Sequence, residues 1–177
     1  MILDGLLQFT TTGGAGNGDN PTTGTQVSTN ALDLGLVGGL PADSTTTGGR
    51  DIGIGDDPAM KILVIVSVAF AGGTNLAVNI QGAPSTGANA PGTYTVMATG
   101  PTVLEASLIV GARLLDIDMP RPAPGQAIPR FLQLGYVNSG THTAGNIKGF
   151  LVLDRHDIPE QSNAVLGGYT AGITVAN

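Results

Sequence analysis

Gly49–Gln81 reads GRDIGIGDDPAMKILVIVSVAFAGGTNLAVNIQ, and its centre, Ile62–Phe70, is the longest apolar run of the chain. The nine residues of that run fall well short of the roughly 20 that a helix needs to cross a bilayer. Five of them are Ile or Val, which pack well on a pleated surface, and Gly72-Gly73 end the run. A buried strand is the reading. Past the glycines, Leu76, Val78 and Ile80 alternate with Ala77, Asn79 and Gln81, which predicts a second, half-buried strand.

The entry to this stretch, Arg50–Pro58, concentrates charge in a chain poor in it. Asp51, Asp56 and Asp57 are candidate oxygen ligands for a hard cation, but calcium loops place acids at alternate positions and end in a bidentate Glu. Here the acids are spaced unevenly, no Glu follows, and Pro58 constrains the exit. GIGDD lacks both the third glycine of a dinucleotide fingerprint and the Lys-Ser/Thr of a P-loop, and it leads into a strand instead of a helix. The cluster reads as a glycine-shaped corner, with Arg50 as a partner for the acids, that aims Ile62–Phe70 into the core.

On the N-terminal side, Met1–Thr10 contains alternating Leu7 and Phe9, a candidate first strand. Thr11–Thr25 and Gly38–Gly49 are Gly/Thr-rich and read as exposed loops. Between them Leu32, Leu34 and Leu36 alternate with Asp33 and Gly35, a half-buried strand. On the C-terminal side, Ala83–Gly92 is a turn-rich connection, Thr93–Ala98 and Thr102–Glu105 are short strands, and Ala106–Gly111 is one helical or irregular turn. Leu115, Ile117 and Met119 alternate with Asp116 and Asp118. Pro120–Gly125 is loop, because proline cannot donate to a ladder. Arg130–Asn138 and Asn146–Asp154 read as the two arms of a hairpin joined by Ser139–Gly145. Arg155–Asn177 has little periodicity and reads as an extended tail that covers a sheet edge or reaches a neighbouring subunit.

Eight or nine short strands without a helical repeat predict an all-β fold, an antiparallel β-sandwich of jelly-roll type with long Gly/Thr-rich loops. The sandwich spans residues 1–154 and the tail residues 155–177. An immunoglobulin-like sandwich has the same strand count, but no Cys or Trp supports it.

Composition narrows function by exclusion. With no cysteine there are no disulfides, thiolate metal sites or cysteine nucleophiles. Charged residues make up 11% of the chain, less than half the roughly 25% of ordinary soluble domains. Such a surface stays soluble through Thr, Ser, Asn and Gly, and much of it is suited to face protein. Seven Lys plus Arg are spread along a chain of net charge −6, so nucleic acid is not an expected partner. The N-terminus lacks a basic n-region and carries Asp4, so neither a signal peptide nor a membrane partner is read.

Three further groups are candidates for chemistry. Asp154-Arg155-His156-Asp157 is the densest charged tetrad, but a His–Asp base needs a nucleophile within reach, and no Ser lies in a Gly-x-Ser-x-Gly elbow. His142 and His156 meet at a metal only if the tail folds back over the hairpin loop. Asp116 and Asp118 lie on one strand face about 7 Å apart, a spacing compatible with glycosidase work. With three Tyr, four Phe and no Trp, however, aromatic sugar platforms are scarce. The reading is a non-enzyme with no catalytic, cofactor-binding or metal residues assigned.

A resemblance takes function further. Met1–Thr10, Ser28–Gly35 (STNALDLG) and Arg50–Gly55 (RDIGIG) are followed by Ser107–Arg113 (SLIVGAR). Arg130–Tyr136 (RFLQLGY), Gly140–Gly145 (GTHTAG) and Gly149–Asp154 (GFLVLD) complete the order. Together they resemble the capsid cement, or decoration, proteins of short-tailed bacteriophages. The resemblance covers most of residues 1–154, and the long loops and the tail depart from it. It implies a β-sandwich made in the host cytoplasm that sits on the outer surface of the virion head. There it would clamp neighbouring major capsid protein subunits and pair with itself as a homodimer or homotrimer. The alternative is a carbohydrate- or receptor-binding sandwich module of the virion, suggested by the exposed Thr/Asn/Gly loops.

Overall fold

The apolar alternation on the two sides of Gly72-Gly73 belongs to one strand. In the computed structural model, which describes residues 7–10, 18–34, 60–86, 90–122 and 124–152, the chain stays extended from Lys61 to Ala83. We call this strand β3; before it come β1 (Thr23–Val27) and β2 (Leu32–Asp33). After it come β4 (Thr95–Thr99), β5 (Val103–Leu104), a 3₁₀ turn at Glu105–Ser107, β6 (Arg113–Asp118) and β7 (Phe131–Val152). All pairings between these strands are antiparallel.

β3 and β7 form a two-stranded ribbon from Lys61 opposite Val152 to Ala83 opposite Phe131. The ribbon is not uniform. Its register shifts fall between Val66 and Asn75, where Gly72, Gly140 and Gly145 take φ of +86°, +76° and +129°. Bulges and left-handed glycines kink a ladder without ending it, and here they divide the ribbon into two halves. β6 pairs with the first half of β3, β4 and β5 pair with the second, and β1 and β2 flank the Phe131-proximal half of β7.

The halves face each other. A Cβ added to Gly149, in the Val152-proximal half of β7, would stand 2.5 Å from Leu134 Cδ1 in the other half. One at Gly100, beyond β4, would stand 2.8 Å from Leu115 Cδ1 of β6. Ile62, Val64, Val66, Leu115, Ile147 and Leu151 pack from one side, and Leu76, Val78, Ile80, Leu132, Leu134 and Tyr136 from the other. Phe9 joins them: its N–H donates to Gly149 O at 2.9 Å and its carbonyl accepts from Asn30 N at 2.9 Å. The result is an all-β antiparallel sandwich of jelly-roll type, made by folding a ribbon on itself.

Four readings of the sequence change. Gly72-Gly73 bend a strand instead of stopping one. Arg130–Asn138 and Asn146–Asp154 are not hairpin partners: Phe131–Asn138 and Asn146–Val152 both lie along β7, and each pairs with β3. Thr23–Thr25, read as loop, open β1, held to β7 through Thr25–Val137 pairing. The described residues hold seven strands, against the expected eight or nine: two pairs of expected strands fused, Thr23–Val27 adds one, and the described end of Met1–Thr10 makes only an isolated bridge, Gln8 to Phe150. The Arg50–Pro58 corner and the tail Arg155–Asn177 lie outside the described residues.

Candidate functional site

Among the described residues, a buried polar cluster forms around Asp19, where β1 is approached. Gly18 has φ +95°, and a Cβ there would fall 2.0 Å from Ile147 O. Only glycine lets the chain come this close to β7. Asp19 then exchanges backbone hydrogen bonds with Ile147, at 2.9 and 2.8 Å, which turns its side chain inward. Tyr136 Oη donates to Asp19 Oδ2 at 2.8 Å, Thr29 N donates to Asp19 Oδ2 at 3.0 Å, and Thr29 Oγ1 donates to Asp19 Oδ1. Nearby, Leu134 N donates to Ser28 Oγ, which donates to Asn30 O.

Burial, then the Asp19 charge and hydrogen bond, push the Tyr136 phenol far above its ordinary range. The phenol therefore stays protonated and acts as a donor. It is a tether for a carboxylate, not a base. A cleft of about 310 Å³ opens beside this cluster, lined also by Asn20, Pro21, Gln26 and Val27. A second cleft, of about 300 Å³, lies at the Ala83 end of the ribbon among Pro84, Met97, Pro122 and Pro129. Its walls are mostly apolar, with Thr93, Thr95 and Gln126 among them, and its prolines are rigid.

The residues weighed for chemistry separate in space. His142 is 1% exposed, stacked edge-on against Phe70 with ring centroids 5.0 Å apart. Its Nε2 lies 3.3 Å from Asn75 O, where the carbonyl can only accept a hydrogen bond. Asp118 pairs with Lys61 at 2.7 Å and Asp116 with Arg113 at 3.2 Å, both at the β6 edge. These ion pairs occupy the carboxylates with cations. Asp51, Asp56, Asp57, Asp154, Arg155, His156 and Asp157 lie outside the described residues. Among the described residues no three His, Cys, Asp or Glu are grouped to hold a metal ion, and no helix is long and apolar enough to cross a membrane.

Nothing in the sequence marks Asp19, Thr29 and Tyr136 as a group. Asp19 stands in a Gly/Asn-rich stretch that reads as solvated loop, and nothing local announces a phenol more than a hundred residues away. Arg130 is a similar case. It is 7% exposed, grips Asp33 through Nε at 2.8 Å and Nη2 at 2.9 Å, and lies 5.1 Å from the centre of the Phe131 ring. The Asp33 hydrogen bonds raise its pKa further.

Six of the exposed large apolar side chains fall on two parts of the fold, and a seventh, Ile128, precedes β7. Leu104, Ile109 and Val110 flank the 3₁₀ turn, while Val27, Val96 and Val137 stand on β1, β4 and β7. The family model Bbp16 matches residues 19–151, about three quarters of the chain. The match begins at the buried Asp19 and ends one residue short of the β7 terminus, so it takes in the folded ribbon almost whole. A search of curated proteins finds no match.

Proposed function

The chain belongs to the Bbp16 family, and from that footing we propose that it is a cement protein of a bacteriophage head, a binding protein without catalytic work. It sits on the outside of the shell, clamps neighbouring major capsid protein subunits, and pairs with itself as a homodimer or homotrimer. One observation carries this reading. The motifs that resemble capsid cement proteins, Arg130–Tyr136, Gly140–Gly145 and the described part of Gly149–Asp154, follow one another from the entry to β7 to its end, and their glycines are the ones the folded ribbon requires. Gly145 lies against the Phe70 ring and Gly149 against Leu134. The resemblance therefore falls on residues that build the scaffold. A clamp repeated over a symmetric shell gains its hold from avidity, so shallow, weakly charged contacts suffice.

Cryo-electron microscopy of the virion tests this. Density for the sandwich at the outer junctions of capsid subunits, in fixed ratio to them, is the expected result. Heads devoid of the protein, with all of it free in the infected cell, would sink the proposal. The polar cleft at Asp19, Asn20, Gln26 and Thr29 favours a second reading, a carbohydrate- or receptor-binding module of the virion. Binding on a glycan array that Asn20→Ala removes would raise that reading above the first.

A further inference from the structure

The two halves of the sandwich divide the charge unevenly. Lys61, Arg113, Asp116, Asp118 and Lys148 all stand on the half built by β6 and the Lys61–Val66 and Ile147–Val152 segments. The other half, ordered β1–β7–β3–β4, turns Leu76, Val78, Ile80, Leu134 and Tyr136 inward. Its outward positions therefore alternate with these, among them Val27, Ala77, Gln81, Val96, Gln133 and Val137. No Asp, Glu, Lys or Arg occurs in Thr23–Val27, Asn75–Gln81, Thr95–Thr99 or Gln133–Ser139. Asp33, gripped by Arg130, marks the margin.

This face is closely packed at its centre as well as uncharged. Gln81 lies across Gly135, where a Cβ would come within 2.5 Å of its Nε2, and Gln133 Nε2 donates to Gln81 Oε1 at 2.7 Å. Val27, Val96 and Val137 stand out from it at 52%, 51% and 39% exposure. In a chain of net charge −6, a charge-free face four strands wide is where a partner can seat without desolvating an ion.

Its size limits the partner. Four strands about 4.8 Å apart and about 20 Å long present a projected footprint of roughly 400 Å², small for a patch that must bury the roughly 800 Å² of accessible surface per partner of a stable two-body complex. A free-standing dimer through this face alone is under-supplied. A partner that offers the same contact many times in register is not, because avidity multiplies each one. We infer that the outward face of the β1–β7–β3–β4 half-sheet docks on an uncharged, hydrogen-bonding surface of the repeating capsid subunit. This rests on the head-binding function proposed above and adds which face makes the contact and what chemistry it meets.

The test titrates purified full-length protein onto heads of the encoding phage that lack it, reading bound protein by co-sedimentation at roughly 0.05 and 0.5 M salt. Wild-type binding is expected to change less than about twofold over that range, since no ions are paired. Val137→Lys and Val96→Glu, on different strands and both exposed, are expected to weaken binding at least about tenfold, with melting temperatures close to wild type. Ile109→Lys, on the other apolar patch, is expected to bind as wild type does. Face variants that bind normally, Ile109→Lys losing binding, or a steep salt dependence would each overturn the inference. So would a wild-type dimer in sedimentation velocity that the face variants dissociate, because the face would then belong to a second copy. Heads that take up no wild-type protein would remove the head-binding reading itself and this inference with it.

Discussion

At single residues, two pressures on glycine can be told apart. Gly111 has φ +85° and a Cβ there would meet nothing within 4 Å, whereas at Gly145, φ +129°, it would stand 2.3 Å from the Phe70 ring. Gly111→Ala should therefore cost only the left-handed strain, roughly 1–2 kcal/mol. Gly145→Ala adds overpacking of about 1–3 kcal/mol, and thermal melts of the two variants should separate them clearly. Similar melts losing equal stability would mean that Phe70 yields freely. Tyr136 supplies a pH test. Its folded pKa is raised above the unfolded value near 10, so above pH about 10 the unfolded chain releases a proton that the folded chain retains. Stability should be full below that pH and fall as pH rises past it. Tyr136→Phe should flatten this alkaline slope. At neutral pH it should cost about 1.5–3 kcal/mol, the worth of a hydrogen bond to a charged group. Chemical denaturation at pH 7 and pH 10.5 reads both effects.

At the scale of elements, the fold hinges on how glycine pairs behave inside long strands. The next residue after Gly72, Gly73, has ordinary φ, but a Cβ on it would lie 2.1 Å from both Cε1 and Nδ1 of His142. Gly73→Ala is expected to cost about 1–3 kcal/mol by overpacking, while His142→Ala should cost a comparable amount by leaving a cavity. Because the alanine methyl would fill part of the space the imidazole vacates, the double variant should cost less than the sum, by about 1 kcal/mol or more. Strict additivity in urea melts would show that the two residues do not share that space. This packing also explains what was legible in the sequence. Period-two alternation at Leu76, Val78 and Ile80 and at Leu115 and Ile117 marks inward faces, because alternation is a local property of a pleated chain. Strand continuity through Gly72-Gly73 and Gly140–Gly145 was hidden, because a bend and a stop use the same residues. The difference lies in the partner strand, which supplies a bulge at the same level. Asp19 stayed hidden for a related reason: its inward turn is set by Ile147 and Tyr136, both remote in sequence.

For the whole molecule, the ribbon makes folding a matter of loop closure. β3 and β7 must find each other across intervening chain, the shorter closure being Ala83 to Phe131 and the longer Lys61 to Val152. The longer loop is nearly twice the shorter, an entropic difference of about 0.6 kcal/mol. Pairing should begin at the Ala83–Phe131 end, since closing that end first shortens every later search. The whole chain, dominated by such non-local pairings, should fold in milliseconds to seconds. Ile80 and Leu132 flank the early end and are fully buried; Ile62 and Leu151 hold the same rank at the late end. Ile80→Val and Leu132→Ala should therefore slow folding, with φ-values of about 0.5 or above. Ile62→Val and Leu151→Ala should mainly speed unfolding, with φ-values below about 0.3. Stopped-flow chevrons on the four variants decide it. The reverse order would place the nucleus where β6 braces β3, and would mean that packing against Leu115 and Ile117 outweighs the loop entropy. In the expected order, the half that forms first is the one whose outward face bears no charge, and the charged half closes over it as the ribbon bends at its glycines.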